Sequence, residues 1–69
     1  MPNYIINKNS DNNGNNEVHT TTCAHLPLSS NQEQLGWHLN GTYAVAYAKS
    51  IGWKNADGCK HCAFEAHNG

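Results

Sequence analysis

Two short pairs of metal-binding residue types constrain this chain more than any other feature: His19 with Cys23, and Cys59 with Cys62. Thirty-five residues lie between the pairs. Closing so long a loop costs chain entropy, and an ion shared by both pairs offsets that cost. In Cys59-Lys60-His61-Cys62 the two intervening residues let both sulfurs reach one ion at roughly 2.3 Å, and Gly58 eases the turn that brings them round. His19-Thr20-Thr21-Thr22-Cys23 suits a strand end followed by a turn. One histidine and three cysteines make a closed tetrahedral zinc set. Thiolates disfavour Mg²⁺ and Ca²⁺, and a mixed sulfur–nitrogen set suits Zn²⁺ better than an iron–sulfur cluster. The expectation is one structural zinc ion on His19, Cys23, Cys59 and Cys62. His25, two residues past Cys23, and His67, five past Cys62, compete with His19 for the fourth position. His61, inside the Cys-x2-Cys loop, and His38 are expected to face solvent.

Other uses of the cysteines are weaker. Three cysteines cannot complete a disulfide framework. A thioredoxin-like redox pair would open a helix after a core strand, whereas the polar Asn55-Ala56-Asp57-Gly58 precedes Cys59. An isolated cysteine can be a small buried hydrophobe, but the paired spacing favours ligation.

Length agrees with a need for a staple. Sixty-nine residues make a single domain, 1–69, and a domain of this size buries only about 60% of its unfolded surface. Small scaffolds usually add a disulfide, a metal or an oligomer contact. The larger apolar residues expected to form one small core are Ile5, Ile6, Val18, Leu26, Leu28, Leu35, Trp37, Leu39, Val45, Ile51, Trp53 and Phe64.

Local patterns predict a small α+β fold. Tyr4-Ile5-Ile6-Asn7 and the β-branched Glu17-Val18-His19-Thr20 read as strands. Between them, residues 9–16 form an Asn-rich polar stretch with an Asn-Gly step, read as a mobile hairpin loop. Leu35, Trp37 and Leu39 alternate, which predicts a third strand with those three side chains buried. From Thr42 to Ile51 the period becomes helical, with Ala44, Val45, Ala48 and Ile51 on one face. Asn40 is a suitable N-cap and Gly52 a suitable stop, placing the main helix at about 41–51. Asn55 to Gly58 reads as a turn, and Ala63 to His67 as a short C-terminal helical turn. The expected architecture is a short antiparallel sheet of two to three strands packed with one helix.

The formal net charge is −1, with four lysines and no arginine. Three thiolates and one Zn²⁺ would bring it to about −2, since ligands deprotonate on binding. Nucleic acid is bound through basic faces, so strong non-specific DNA binding is disfavoured. No serine or threonine has a base at a recognisable spacing, and an enzyme is the less favoured reading. Met1 to Lys8 lacks the features of a secretory signal, and no run approaches the roughly 18 apolar residues of a membrane span. A reducing cytoplasmic setting is expected.

Taken in order, Val18-His19-x3-Cys23, Leu26-Pro27, an alanine-rich helix and Ala56-Asp57-Gly58-Cys59-x2-Cys62 resemble small bacterial proteins of uncharacterised function. They also resemble the zinc-binding module of Ada-type DNA alkylation-repair proteins. The resemblance spans Glu17 to Cys62. It implies zinc ligands at His19, Cys23, Cys59 and Cys62 on a short sheet packed with one helix. In the repair proteins the first ligand position is a cysteine whose zinc-bound thiolate accepts a methyl group from phosphotriesters, and here that position is His19. The functional expectation is therefore a structural zinc module serving as a binding or accessory protein, with a protein or nucleic-acid partner and no membrane. The alternative is a zinc-thiolate methyl acceptor or other thiol-reactive protein related to DNA repair.

Overall fold

The computed structural model describes residues 2–68. It opens with a hairpin of β1 (Asn3–Asn7) and β2 (Asn16–Thr20), paired antiparallel with Ile5 opposite His19 and Ile6 opposite Val18. Asp11 organises the turn between them: its carboxylate accepts from the Asn13 and Asn15 amides, and its carbonyl from the Gly14 amide. Asn16 opens β2, and its side-chain amide donates to the Asn7 and Lys8 carbonyls.

Strand β3 (Gln32–Trp37) pairs antiparallel with the other side of β1. The segment from Thr21 to Asn31 must therefore cross β1 to connect β2 with β3. Its ends are pinned to that strand, with the Thr21 amide donating to Asn3 and the Lys8 amide to Asn31. A 3-10 turn at Ser29–Asn31 ends the crossover.

The main helix, α1 (Gly41–Ser50), follows as predicted. The Asn40 side chain accepts from the Tyr43 amide as N-cap, and Gly52 takes a left-handed backbone at φ +112° just past the end. The helix lies across one face of the sheet and touches all four strands.

The sheet has four strands and is mixed, in the order β3-β1-β2-β4, where the sequence predicted two or three antiparallel ones. The difference is β4 (Ala56–Gly58), read from sequence as part of a turn. It pairs parallel with β2, Asn16 opposite Ala56 and Val18 opposite Gly58. Three small or polar residues carry no strand pattern of their own; β2 makes them a strand. A second 3-10 turn at Phe64–Ala66 packs on β4 and α1.

The core also departs from expectation. Tyr4, Ile6, Val18, Leu35, Ala44, Val45, Ala48, Ala56, Ala63 and Ala66 form one buried cluster, with Trp53 against its edge. Alanines on the helix, β4 and the C-terminal turn bring these elements into close contact and leave no space for large side chains. Leu28, Trp37, Leu39, Ile51 and Phe64, all expected inside, are exposed, and Leu26 is half-buried. For Trp37 the cause is a register shift in β3 opposite Tyr4 and Ile5. Gly36, at φ +82°, makes the bulge there, and a one-residue slip reverses the faces. Leu35 stays inside while Trp37 and Leu39 turn out.

Candidate metal centre

The face of the sheet opposite α1 carries the second pair of pleat positions. Side chains alternate along a strand, so the helix-side Tyr4, Ile6 and Val18 put Ile5 and His19 on the far face. Both are buried there, Ile5 at 0% and His19 at 2% exposure. The 21–31 crossover runs over this face.

Each of the four predicted ligands is placed by local hydrogen bonding. His19 sits in β2, fixed by its pairing to Ile5. A tight turn after β2, closed by the Cys23 amide donating to the Thr20 carbonyl, swings Cys23 back. Cys59 follows β4 directly, and its amide donates to the Val18 carbonyl, so the parallel ladder carries it alongside His19. The Ala63 amide donating to the Cys59 carbonyl closes the loop that returns Cys62. Gly58 serves this geometry by its lack of a side chain: a Cβ there would collide with the Ala63 carbonyl and with Ala66. Its backbone is not left-handed. Close packing of the C-terminal turn, more than ease of turning, makes glycine necessary.

The result is one cluster. The ligand atoms of His19, Cys23, Cys59 and Cys62 all lie within 4.8 Å of one another. The Cys23 and Cys59 sulfurs are 3.9 Å apart, and the Cys62 sulfur is 3.8 Å from His19 Nδ1. Sulfurs tetrahedrally bound at roughly 2.3 Å stand about 3.8 Å from one another, so the spacing fits a single ion. A disulfide would need about 2.05 Å, and all three cysteines are free. This group of one histidine and three cysteines could hold a metal ion.

The surroundings suit a neutral imidazole and act on the sulfurs in two opposed ways. Every sulfur accepts one backbone amide: Cys62 from Thr20 at 3.3 Å, Cys23 from His25 at 3.4 Å and Cys59 from His61 at 3.4 Å. Such bonds favour the charged form of the acceptor. Burial, and then the nearby His25, lowers the pKa of His19, which keeps its ring neutral. Glu17 stands 3.6 Å from His19 Nε2, and Nδ1 is the ring nitrogen that faces the Cys62 sulfur; with its proton on Nε2 the ring would offer the Nδ1 lone pair to an ion, Glu17 being placed for the outer-shell role of a carboxylate. Burial, then the neighbouring Cys23 and Cys59 sulfurs, push the Cys62 thiol up to about 12, against the pull of the Thr20 amide. Three sulfurs this close oppose one another's ionisation, and a cation among them reverses that balance.

The competing histidines are engaged elsewhere. His67 Nδ1 is 3.0 Å from the Gly58 carbonyl and 3.5 Å from an Asp57 carboxylate oxygen. Asp57 also accepts from the Asn68 amide, which fastens the C-terminal segment to β4. His25 stacks on His61, ring centroids 4.0 Å apart at 25°. His61 is exposed as expected, but the stack itself went unread, although a signal existed. His25 and His61 each lie two residues after a cysteine, and each donates its amide to that cysteine's sulfur. The two loops thus share one amide–sulfur contact and are joined by their rings. His38, expected to face solvent, is half-buried instead. Its Nε2 is 2.9 Å from the Leu35 carbonyl and its ring lies beside Tyr4 and Tyr47, because the bulge in β3 also turned this residue inward.

Comparison of the chain with protein-family models, curated proteins and solved structures finds no match. Among the described residues, no helix is long and apolar enough to cross a membrane.

Proposed function

We propose that this chain is a structural zinc module in which His19, Cys23, Cys59 and Cys62 hold one ion, and that it works as a binding or accessory protein. The observation that carries the reading is the convergence of four ligand atoms within 4.8 Å from β2, the turn after it and the loop after β4. Zinc is favoured among metals by the Cys₃His donor set. It would supply a fixed crosslink between the crossover and the C-terminal loop, and its charge would hold the thiolates deprotonated.

A structural role is preferred to thiol reactivity because each sulfur is engaged by an amide, and Cys59 is buried. Hydrogen bonding to a thiolate stabilises it and weakens it as a nucleophile. The likeness to the Ada-type module belongs to the same proposal: ligand order and an alanine-lined helix support it, while His19 at the acceptor position argues against methyl transfer.

Native mass spectrometry of the full chain, with an amide proton–nitrogen spectrum before and after chelation, tests the proposal. One bound zinc per chain, and loss of dispersed amide signals on chelation, is the expected result. A metal-free protein with an unchanged dispersed spectrum would overturn it.

A further inference from the structure

Two adjoining cavities, of about 250 and 270 Å³, lie along the flank of α1 that carries Lys49. Lys49 and Asn68 line both, so the two are halves of one groove, open to solvent along one side. The halves differ in chemistry. One is lined by Thr42, Val45 and Ala46, which share a stripe of the helix with Lys49, and by Ala66 from the C-terminal turn. The other is lined by Lys49, Lys54, Asn15, Asn55 and Asn68, and by the buried Asp57. Backbone bonds hold this polar half in shape. The Trp53 amide donates to the Ala48 carbonyl, and the Asn55 carbonyl accepts from the Asn16 amide, so the turn that carries Lys54 is fixed at both ends. Asn15 and Asn68 are set by their amides, which donate to the Asp11 and Asp57 carboxylates.

We propose that this groove captures the C-terminal carboxylate of a partner polypeptide that ends in a small apolar side chain. The proposal rests on reading the chain as a binding module, and names what it binds. Charge is the first argument. The chain has four lysines and no arginine, and two of the four line this one cavity. The ion pairs among the described residues are His19 with Glu17 and His67 with Asp57, so neither lysine is in one. The two carboxylates of the groove are turned to other partners: Asp57 to the Asn68 amide and His67, Glu65 to the Gly41 amide. Two cations are therefore left for a ligand, in a groove that also holds two acids. That balance suits a single negative charge. A phosphate dianion or a nucleic-acid backbone would bring further charge against Asp57 and Glu65.

Shape is the second argument. Small-molecule sites enclose most of their ligand, and this open groove does not. A chain end lying along it is covered at its last residue only, a recurring way of recognising polypeptides. Its carboxylate meets the lysines, and its last side chain meets Val45, Ala46 and Ala66. Its backbone meets the side-chain amides of Asn15, Asn55 and Asn68, which make no hydrogen bond among the described residues.

Amide shift mapping on the full chain, with its metal content measured on the same sample, tests the proposal. The probe is N-acetylated glycyl-alanyl-valine with its C-terminus free or amidated. The free acid, titrated to about 10 mM, is expected to shift the amides of Ala46, Lys49, Lys54 and Asn55. Amidation of the probe, or Lys54→Gln in the protein, removes a charged hydrogen bond and should weaken binding about tenfold or more. Lys60→Gln, at a lysine outside the groove, should leave binding unchanged. No shift in the groove would overturn the proposal, and so would equal binding of the amidated peptide. Equal binding of isovalerate or inorganic phosphate would also overturn it, by assigning the groove to a small acid or to any anion. The two readings fail separately. A chain that carries one zinc and ignores the peptide loses this proposal alone, whereas a folded, metal-free chain that binds the peptide loses only the metal.

Discussion

The two faces of the sheet are held by different means. Under α1, regular elements pack through small apolar side chains, and alanines set the distance between helix, β4 and the C-terminal turn. On the other face a loop covers the strands. There the buried Ile5 has His19 as its cross-strand partner, and the proposed metal would tie the covering segment down through Cys23. A helix brings its own hydrogen bonds to a surface, so apolar contact suffices to hold it. An irregular crossover has few internal bonds, and needs fixed anchor points: here the backbone bonds at its two ends and, on the proposed function, a metal ion bound by Cys23. The four candidate ligands thus lie where secondary structure does not hold the chain, which is where the proposed metal would act as a staple.

Removing the staple is the strongest test of that division. In Cys59→Ser the site loses one of its three sulfurs, and zinc occupancy should fall below detection at micromolar metal. Loss of a structural metal belongs among the largest single-site effects, upwards of about 4 kcal/mol. The expected consequence reaches both faces. Helix α1 packs on β4 and on the turn at Phe64–Ala66, and these flank the Cys59–Cys62 loop. Amide spectra should therefore lose dispersion at Ala44, Val45 and Ala48 as well as along Thr21 to Asn31. Retained helix signals with a disordered crossover would show instead that the two faces are independent.

Gly58→Ala sharpens the comparison at the point where the faces meet. The new methyl group would strike the Ala63 carbonyl and Ala66 on the helix side, one residue before the ligand Cys59. Overpacking of this kind costs about 1–3 kcal/mol. Chemical denaturation should show that loss, while zinc stoichiometry stays at one. Unchanged stability would mean that the C-terminal turn is not held against β4 as described.

These contacts also show what could be read from the sequence. The convergence of His19, Cys23, Cys59 and Cys62 was legible because metal coordination imposes short, typed spacings, and β1, β2 and α1 were legible because their patterns are local. Strand β4 was not, since Ala56-Asp57-Gly58 becomes a strand only through a parallel partner some forty residues away. The alternation of Leu35, Trp37 and Leu39 misled for a related reason: it was correct as a period, and Gly36 broke the period at its centre. Phe64 and Leu28 were placed inside on hydrophobicity alone, in a fold whose contacts are too close for them. In each failure the deciding term was a distant partner or a backbone conformation, neither of which a side-chain pattern encodes.

The smallest expected effect concerns the His25–His61 stack, where the crossover and the C-terminal loop touch outside the ligand set. Each ring follows a cysteine whose sulfur accepts that same residue's amide. Holding the rings together therefore holds both amides on the Cys23 and Cys59 sulfurs. An aromatic pair contributes about 0.5–1.5 kcal/mol beyond burial, or roughly a 2- to 10-fold change in an opening equilibrium. In His61→Ala, zinc transfer to a coloured chelator should quicken by that factor with stoichiometry unchanged, and His61→Phe should restore the slow rate. If His61→Ala and His61→Phe both release zinc at the parent rate, the stack is incidental, and the crossover face is held by the four ligands and its backbone bonds alone.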